Sequence, residues 1–176
     1  MNTKVTFFAC LALGSTQVAA ASITFTDVKI NGIALTAGVP LSNPNPLIDQ
    51  STYNVPVLGG NSLTFSTPNA IVGDASPLAT GSMVMSYIAS SGPAMVAVNA
   101  ISNIGAPAIG SGFVVFTENV YSYDCNTMVV GPLIGSLTHT FNATANPNFS
   151  GTISLSTPSN CIYVEKVFQL SAVTTS

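Results

Sequence analysis

From Ser22 onward the chain reads as short segments rich in valine, isoleucine, threonine and aromatic residues, spaced about ten residues apart and separated by glycine, proline and asparagine. No helical period competes with that punctuation, which predicts an all-β fold: a single antiparallel β-sandwich of about eight or nine strands. Residues 22–30 form the first expected strand, and Asn31-Gly32 then gives the strongest short-range hairpin signal, returning the chain through Ile33 to Thr36. Residues 38–50 carry Pro40, Pro44 and Pro46, which remove backbone donors and make this a crossing loop. Strands are expected at 62–66 and 81–89, with a turn-rich stretch at 67–80; the apolar run 94–104 suits a buried strand or a short helix, and its context favours strand. In 111–123, Phe113, Val115 and Tyr121 fall on one face and Val114, Phe116, Glu118 and Val120 on the other. Two apolar faces suit a strand covered on both sides or lying at an interface. Residues 133–141 alternate so that Leu133, Leu137, His139 and Phe141 face together, and strands at 152–156 and 161–172 complete the set.

The amino terminus has the layout of a cleaved secretory signal. A short basic segment ending at Lys4 precedes an apolar run over 5–14, and Val18-Ala19-Ala20-Ala21 supplies the small residues of a cleavage site after Ala20 or Ala21. The run is too short for a membrane span, and Cys10 lacks the flanking pattern of a lipoprotein. The expected organisation is a signal peptide at 1–20 and one β-sandwich domain at 21–176, secreted to the extracellular space or the cell surface.

Export decides how the cysteines read. Loss of Cys10 with the signal leaves Cys125 and Cys161, which in an oxidising compartment are expected to form a disulfide. Closing that loop contributes roughly 3–4 kcal/mol in the chain-entropy view. If the two cysteines bridge neighbouring antiparallel strands in register, Glu118 opposes Phe168 and meets Lys166 on the diagonal, so a Glu118–Lys166 ion pair is expected. Its tips could reach solvent, where such a pair contributes little.

Hydrophobic residues make up 47% of the chain and charged residues 5%, so the polar surface must come from serine, threonine, asparagine and glycine. Beyond the signal only Lys29 and Lys166 are basic. Nucleic acid, which is bound through phosphate neutralisation, is excluded as a partner, and so is electrostatic attachment to anionic lipid. Little repulsion between copies favours self-association.

The residues assemble no reaction centre, and the expectation is a protein that is not an enzyme, without cofactor or metal. His139, the one histidine, sits in an apolar series and reads as a core or interface residue. One histidine and two cysteines do not complete a zinc shell. Gly110-Ser111-Gly112 is neither a nucleophile elbow nor a phosphate cradle. Glu118 with Asp124 or Glu165 could form a glycosidase pair only if the fold brought them to one cleft. Pro77-Leu-Ala-Thr-Gly81 resembles a sortase signal but lies mid-chain, and reads as a loop. Asn142 and Asn148 fit the glycosylation pattern, which matters only in a eukaryotic secretory pathway. The loops show no calcium-binding spacing.

The run from Gly112 through Glu118 to Asp124-Cys125, followed later by Ile162-Tyr-Val-Glu-Lys166-Val-Phe, resembles the extracellular β domains of bacterial surface proteins that carry a PEP-CTERM sorting tail. The signal ending in Ala-Ala and the strand at Ser22-Ile-Thr-Phe are similar as well. The likeness covers the last 65 or so residues and the amino-terminal junction. It departs in lacking the Pro-Glu-Pro motif, hydrophobic helix and basic tail, the chain running Leu170-Ser-Ala-Val-Thr-Thr-Ser176. The resemblance implies a role in surface or extracellular-matrix material and carries over no functional residue. The leading expectation is thus a non-enzymatic structural or cell-surface protein. One alternative is a carbohydrate- or other ligand-binding sandwich, against which the absence of tryptophan and the dispersed Tyr53, Tyr87, Tyr121, Tyr123 and Tyr163 argue. The other is a pilin-like filament subunit built by strand donation, whose usual amino-terminal disulfide is missing.

Overall fold

A computed structural model describes residues 5–12, 22–41, 51–54, 61–70, 80–104, 112–142 and 147–172. Nine strands follow in chain order: β1 Val5–Ala12, β2 Thr24–Ile30, β3 Ile33–Ala34, β4 Thr52–Asn54, β5 Thr64–Ala70, β6 Thr80–Ile104, β7 Phe113–Asp124, β8 Val129–Asn142 and β9 Asn148–Ser171. All recorded strand pairs are antiparallel, and no helix occurs among the described residues. The fold is an all-β sandwich.

One hydrogen-bonded sheet supplies both layers, in the order β4-β5-β1-β6-β9-β7-β8, with β2 joining β6 and β3 joining β2. This works because β6 and β9 are each long enough to serve twice. The first half of β6 pairs with β2 and with the second half of β9, which also holds β7. The second half of β6 pairs with β1 and with the first half of β9.

The halves meet at a corner built from residues that interrupt a ladder. Between the pairs Ser90↔Cys161 and Met95↔Ser159, β6 makes an excursion through Gly92-Pro93; between Met95↔Ser159 and Ala97↔Ser154, β9 makes one through Pro158. Proline cannot donate to a ladder and is confined within sheets to edges and bulges. The two excursions cancel, so pairing resumes in its former register. The buried face changes parity across them: Met83, Met85, Tyr87 and Ala89 before, Val98, Ala100 and Ser102 after. Side chains close the corner. Asn160 Nδ2 donates to the carbonyls of Ser91 and Gly92, and Ser159 Oγ donates to the Cys161 carbonyl at 2.6 Å.

The layers pack through rings from both. Phe65 of β5 lies 6.3 Å from Tyr87 of β6, and Phe149 at the start of β9 lies 6.1 Å from Phe116 of β7. At the β8 side two glycines allow close approach: a Cβ on Gly135 would stand 2.5 Å from Ile153, and one on Gly151 2.8 Å from Leu137.

The Asn31-Gly32 hairpin forms as the sequence implies, with φ of 47° and 78° at its centre, and the Asn31 side chain accepts the Val84 amide at 2.8 Å. Other expectations need correction. The segments 81–89 and 94–104 are one strand, as are 152–156 and 161–172, because the prolines bend a ladder that continues beyond them. Residues Thr67–Ala70 extend β5 and do not begin a loop. The outer face of β7 is half-buried from Val115 to Tyr121, with Phe113 at its start 41% exposed. Leu133 is 51% exposed and does not join Leu137, His139 and Phe141. Ile134 is an extra residue between the pairs Val120↔Gly135 and Tyr121↔Leu133, and such a bulge turns the residues beyond it to the other face. The apolar run expected as the core of a signal pairs as β1, between β5 and β6. The cleavage site, most of the 38–50 loop, Pro77, Gly110 and Ser111 lie outside the described residues.

Candidate functional site

Two places concentrate the chain's sparse charge. The first is inside. β7 and β9 carry a continuous buried row, Val114, Phe116, Glu118 and Val120 against Leu170, Phe168, Lys166 and Val164. Glu118 and Lys166 stand directly opposite each other, both fully buried, and the ammonium donates to Glu118 Oε2. Met85 of β6 flanks Lys166 and Leu137 of β8 flanks Glu118, while the Phe116 ring lies 5.5 Å from the ammonium. Glu118 Oε1 is buried with no hydrogen-bond partner among the described residues. Burial pushes the Glu118 carboxyl above its ordinary range, and attraction to Lys166 offsets that only in part.

The register corrects the expected one by two residues: Phe168 opposes Phe116, not Glu118. The disulfide explains the shift. Cys125 and Cys161 are bonded, with Cα atoms 6.1 Å apart, but Cys125 lies in the turn after β7, beyond the last β7–β9 pair, Ser122↔Ile162. It ties a hairpin tip to the corner and does not bridge two residues in register. That tip is fixed locally as well: Asp124 Oδ1 accepts the amides of Asn126 at 2.8 Å and Thr127 at 3.2 Å. These bonds hold its carboxyl below the ordinary range.

The second place is the outer face of the same layer. Tyr121 and Tyr163, distant in sequence, are paired across β7 and β9 with ring centroids 6.0 Å apart. Across β6 from β9, β2 bulges between Thr26 and Lys29, with Asp27 at φ 50°, and the Lys29 ammonium bonds Asp27 at 2.7 Å. Asp27 raises the Lys29 pKa, with smaller contributions from Tyr163 and Tyr123. Along the sequence the tyrosines are dispersed. The antiparallel register of β7 on β9 is what gathers them, and only knowledge of that register could have shown it. Glu165 shares this face, opposite Asn119 and Ser86, and uncharged cross-strand ties such as Thr117 with Thr138 at 3.2 Å and Ser136 to Asn119 at 2.7 Å lie beside it.

The other candidates do not converge. Glu118 faces inward, Glu165 is paired with Asn119 and Ser86 on the opposite face, and Asp124 ends β7 beside the hairpin turn, so no two share a cleft. His139 stacks on Phe149 at 4.1 Å and meets Phe141 edge-on at 4.6 Å. Asn142 and Asn148 are exposed. Among the described residues no three of His, Cys, Asp and Glu gather as a metal site, and no helix is long and apolar enough to cross a membrane.

The remaining surface is an edge. β8 ends the sheet path, runs for 14 residues and carries no Lys, Arg, Asp or Glu. Near its start Met128, Val129, Val130 and Leu133 are 77%, 58%, 46% and 51% exposed. The edges formed by β3 and β4 span only two and three residues. No protein-family model matches the chain, and no curated protein or solved structure matches it.

Proposed function

We propose that this is a secreted, non-enzymatic structural protein of a cell surface or extracellular matrix, whose copies associate through β8. The observation that carries the reading is the long, uncharged edge with an apolar tip. Natural sheets blunt such edges with lysine, bulges or brevity. β3 and β4 are brief, whereas β8 has only Pro132 and two irregularities near its tip. The resemblance to surface proteins with a sorting tail points to the same setting. The test places charge on the edge: Thr138→Lys with Thr140→Lys, both at exposed positions, should shift a concentration-dependent assembly to monomer while the far-ultraviolet spectrum stays unchanged. A variant that assembles like the parent protein contradicts the reading.

A second reading has its own observation. The Tyr121–Tyr163 pair, on the same sheet face as Glu165, joins aromatic rings to polar groups, which suits a carbohydrate. Glycan binding lost in Tyr121→Ala and Tyr163→Ala would favour it over self-association.

A further inference from the structure

We propose that Lys166 and Glu118 join covalently, the lysine amine condensing with the carboxyl across the β7–β9 ladder to leave a permanent amide between the two strands.

The argument begins with what the pair lacks. Two ions removed from water need good geometry and further hydrogen bonds to offset their lost hydration. Here the neighbours are Met85, Leu137 and Phe116, and Oε1 has no hydrogen-bond partner among the described residues. Proton transfer from Nζ to Oε2 along their existing hydrogen bond gives a neutral amine beside a neutral acid. Burial already favours the acid form. The amine is then a nucleophile held against a carboxyl carbon, and fixed intramolecular pairs of this kind reach effective molarities of roughly 10⁵–10⁸ M.

The step balances without a co-reactant. A bond forms between Nζ and Cδ, one Cδ–Oε bond breaks, and the departing oxygen carries two protons from the original ammonium away as water. Nζ keeps one hydrogen as the amide N–H. Charge is conserved, since one positive and one negative group are both lost, and nothing is oxidised. Among the described residues no second carboxyl faces the pair: Glu165 points to the opposite face, Asp124 ends β7 beyond the β7–β9 ladder and Asp27 bonds Lys29 on β2. The reaction is therefore a single slow maturation event in each molecule. It stands apart from association through β8, since a monomer would carry it equally.

The chain supplies an unusual readout. Beyond the expected signal, Lys29 and Lys166 are its only sites for trypsin, and trypsin does not cut after a lysine whose Nζ is acylated. The secreted protein, denatured and reduced, is digested with trypsin and weighed. The expected product is residues 30–176 in one piece, lighter than its sequence by one water, and chymotrypsin then releases a branched peptide joining the Glu118 and Lys166 segments. Glu118→Ala should restore cleavage after Lys166. Free release of 167–176 from the parent protein overturns the proposal, as does a water loss mapped elsewhere. If the variant fails to fold, the branched peptide of the parent protein decides alone.

Discussion

The layer built around β7 and the layer built around β5 draw their central pairing from different parts of the chain. In the first, β6, β9 and β7 pair over long unbroken stretches from Met83 to Ala89, Val164 to Leu170 and Val114 to Val120, and the disulfide ties the β7–β8 tip to the corner. In the second, β5 reaches β6 only through β1, since Val5–Ala12 lies between them. Cleavage at the expected site after Ala20 or Ala21 removes β1 whole. The second layer would then have two facing edges, Thr64–Ala70 and the end of β6, whose backbone groups toward β1 lack partners while Thr64–Ser66 still pairs with β4 and the end of β6 with β9. If the expected signal is cleaved, one half of the molecule is closed by residues that stay and the other loses the strand that closes it.

The comparison can be broken or sharpened by substitution. The largest effect is expected for Lys166→Met, which strands a buried carboxyl in the permanent half. Leaving one partner of such a pair costs about 3–5 kcal/mol, read as a lowered urea midpoint. Adding Glu118→Leu should recover most of that loss, unless the amide has formed, in which case the double variant also lacks a covalent tie and stays below the parent protein. Next comes Cys125→Ser with Cys161→Ser, expected to cost roughly 2–4 kcal/mol and to loosen the tip more than the second layer. Smallest is a pH effect at Asp124. Its carboxyl is depressed in the folded protein, so its contribution is present above the unfolded value of 3.8 and is lost as pH falls through the lower folded one. Amide signals of Asn126 and Thr127 should shift in that acid range, and Asp124→Asn should abolish the shift.

Local chemistry was legible in the sequence wherever it acts over a few residues. Asn31-Gly32 announces a turn with two positive φ angles, and the alternation through Val114, Phe116, Glu118 and Val120 marks the buried face. The Glu118–Lys166 contact could be approached through the cysteines, but its register could not, because Cys125 lies past the end of the ladder. Proline misled in a consistent way. Pro93 and Pro158 read as strand ends, yet each bends a strand whose pairing resumes, and nothing local distinguishes a terminus from a corner. The Tyr121–Tyr163 pair depends on long-range register, which periodicity does not contain.

Amide hydrogen exchange, resolved along the chain and compared between the full sequence and the chain from Ala21 onward, tests the difference between the layers most directly. The account predicts slow exchange over Met83–Ala89, Val114–Val120 and Val164–Phe168 in both, whereas within Thr64–Thr67 and Asn99–Ser102 the amides that face β1 are protected only when β1 is present and those that face β4 and β9 stay protected in both. Equal protection of both layers in the shorter chain would contradict it.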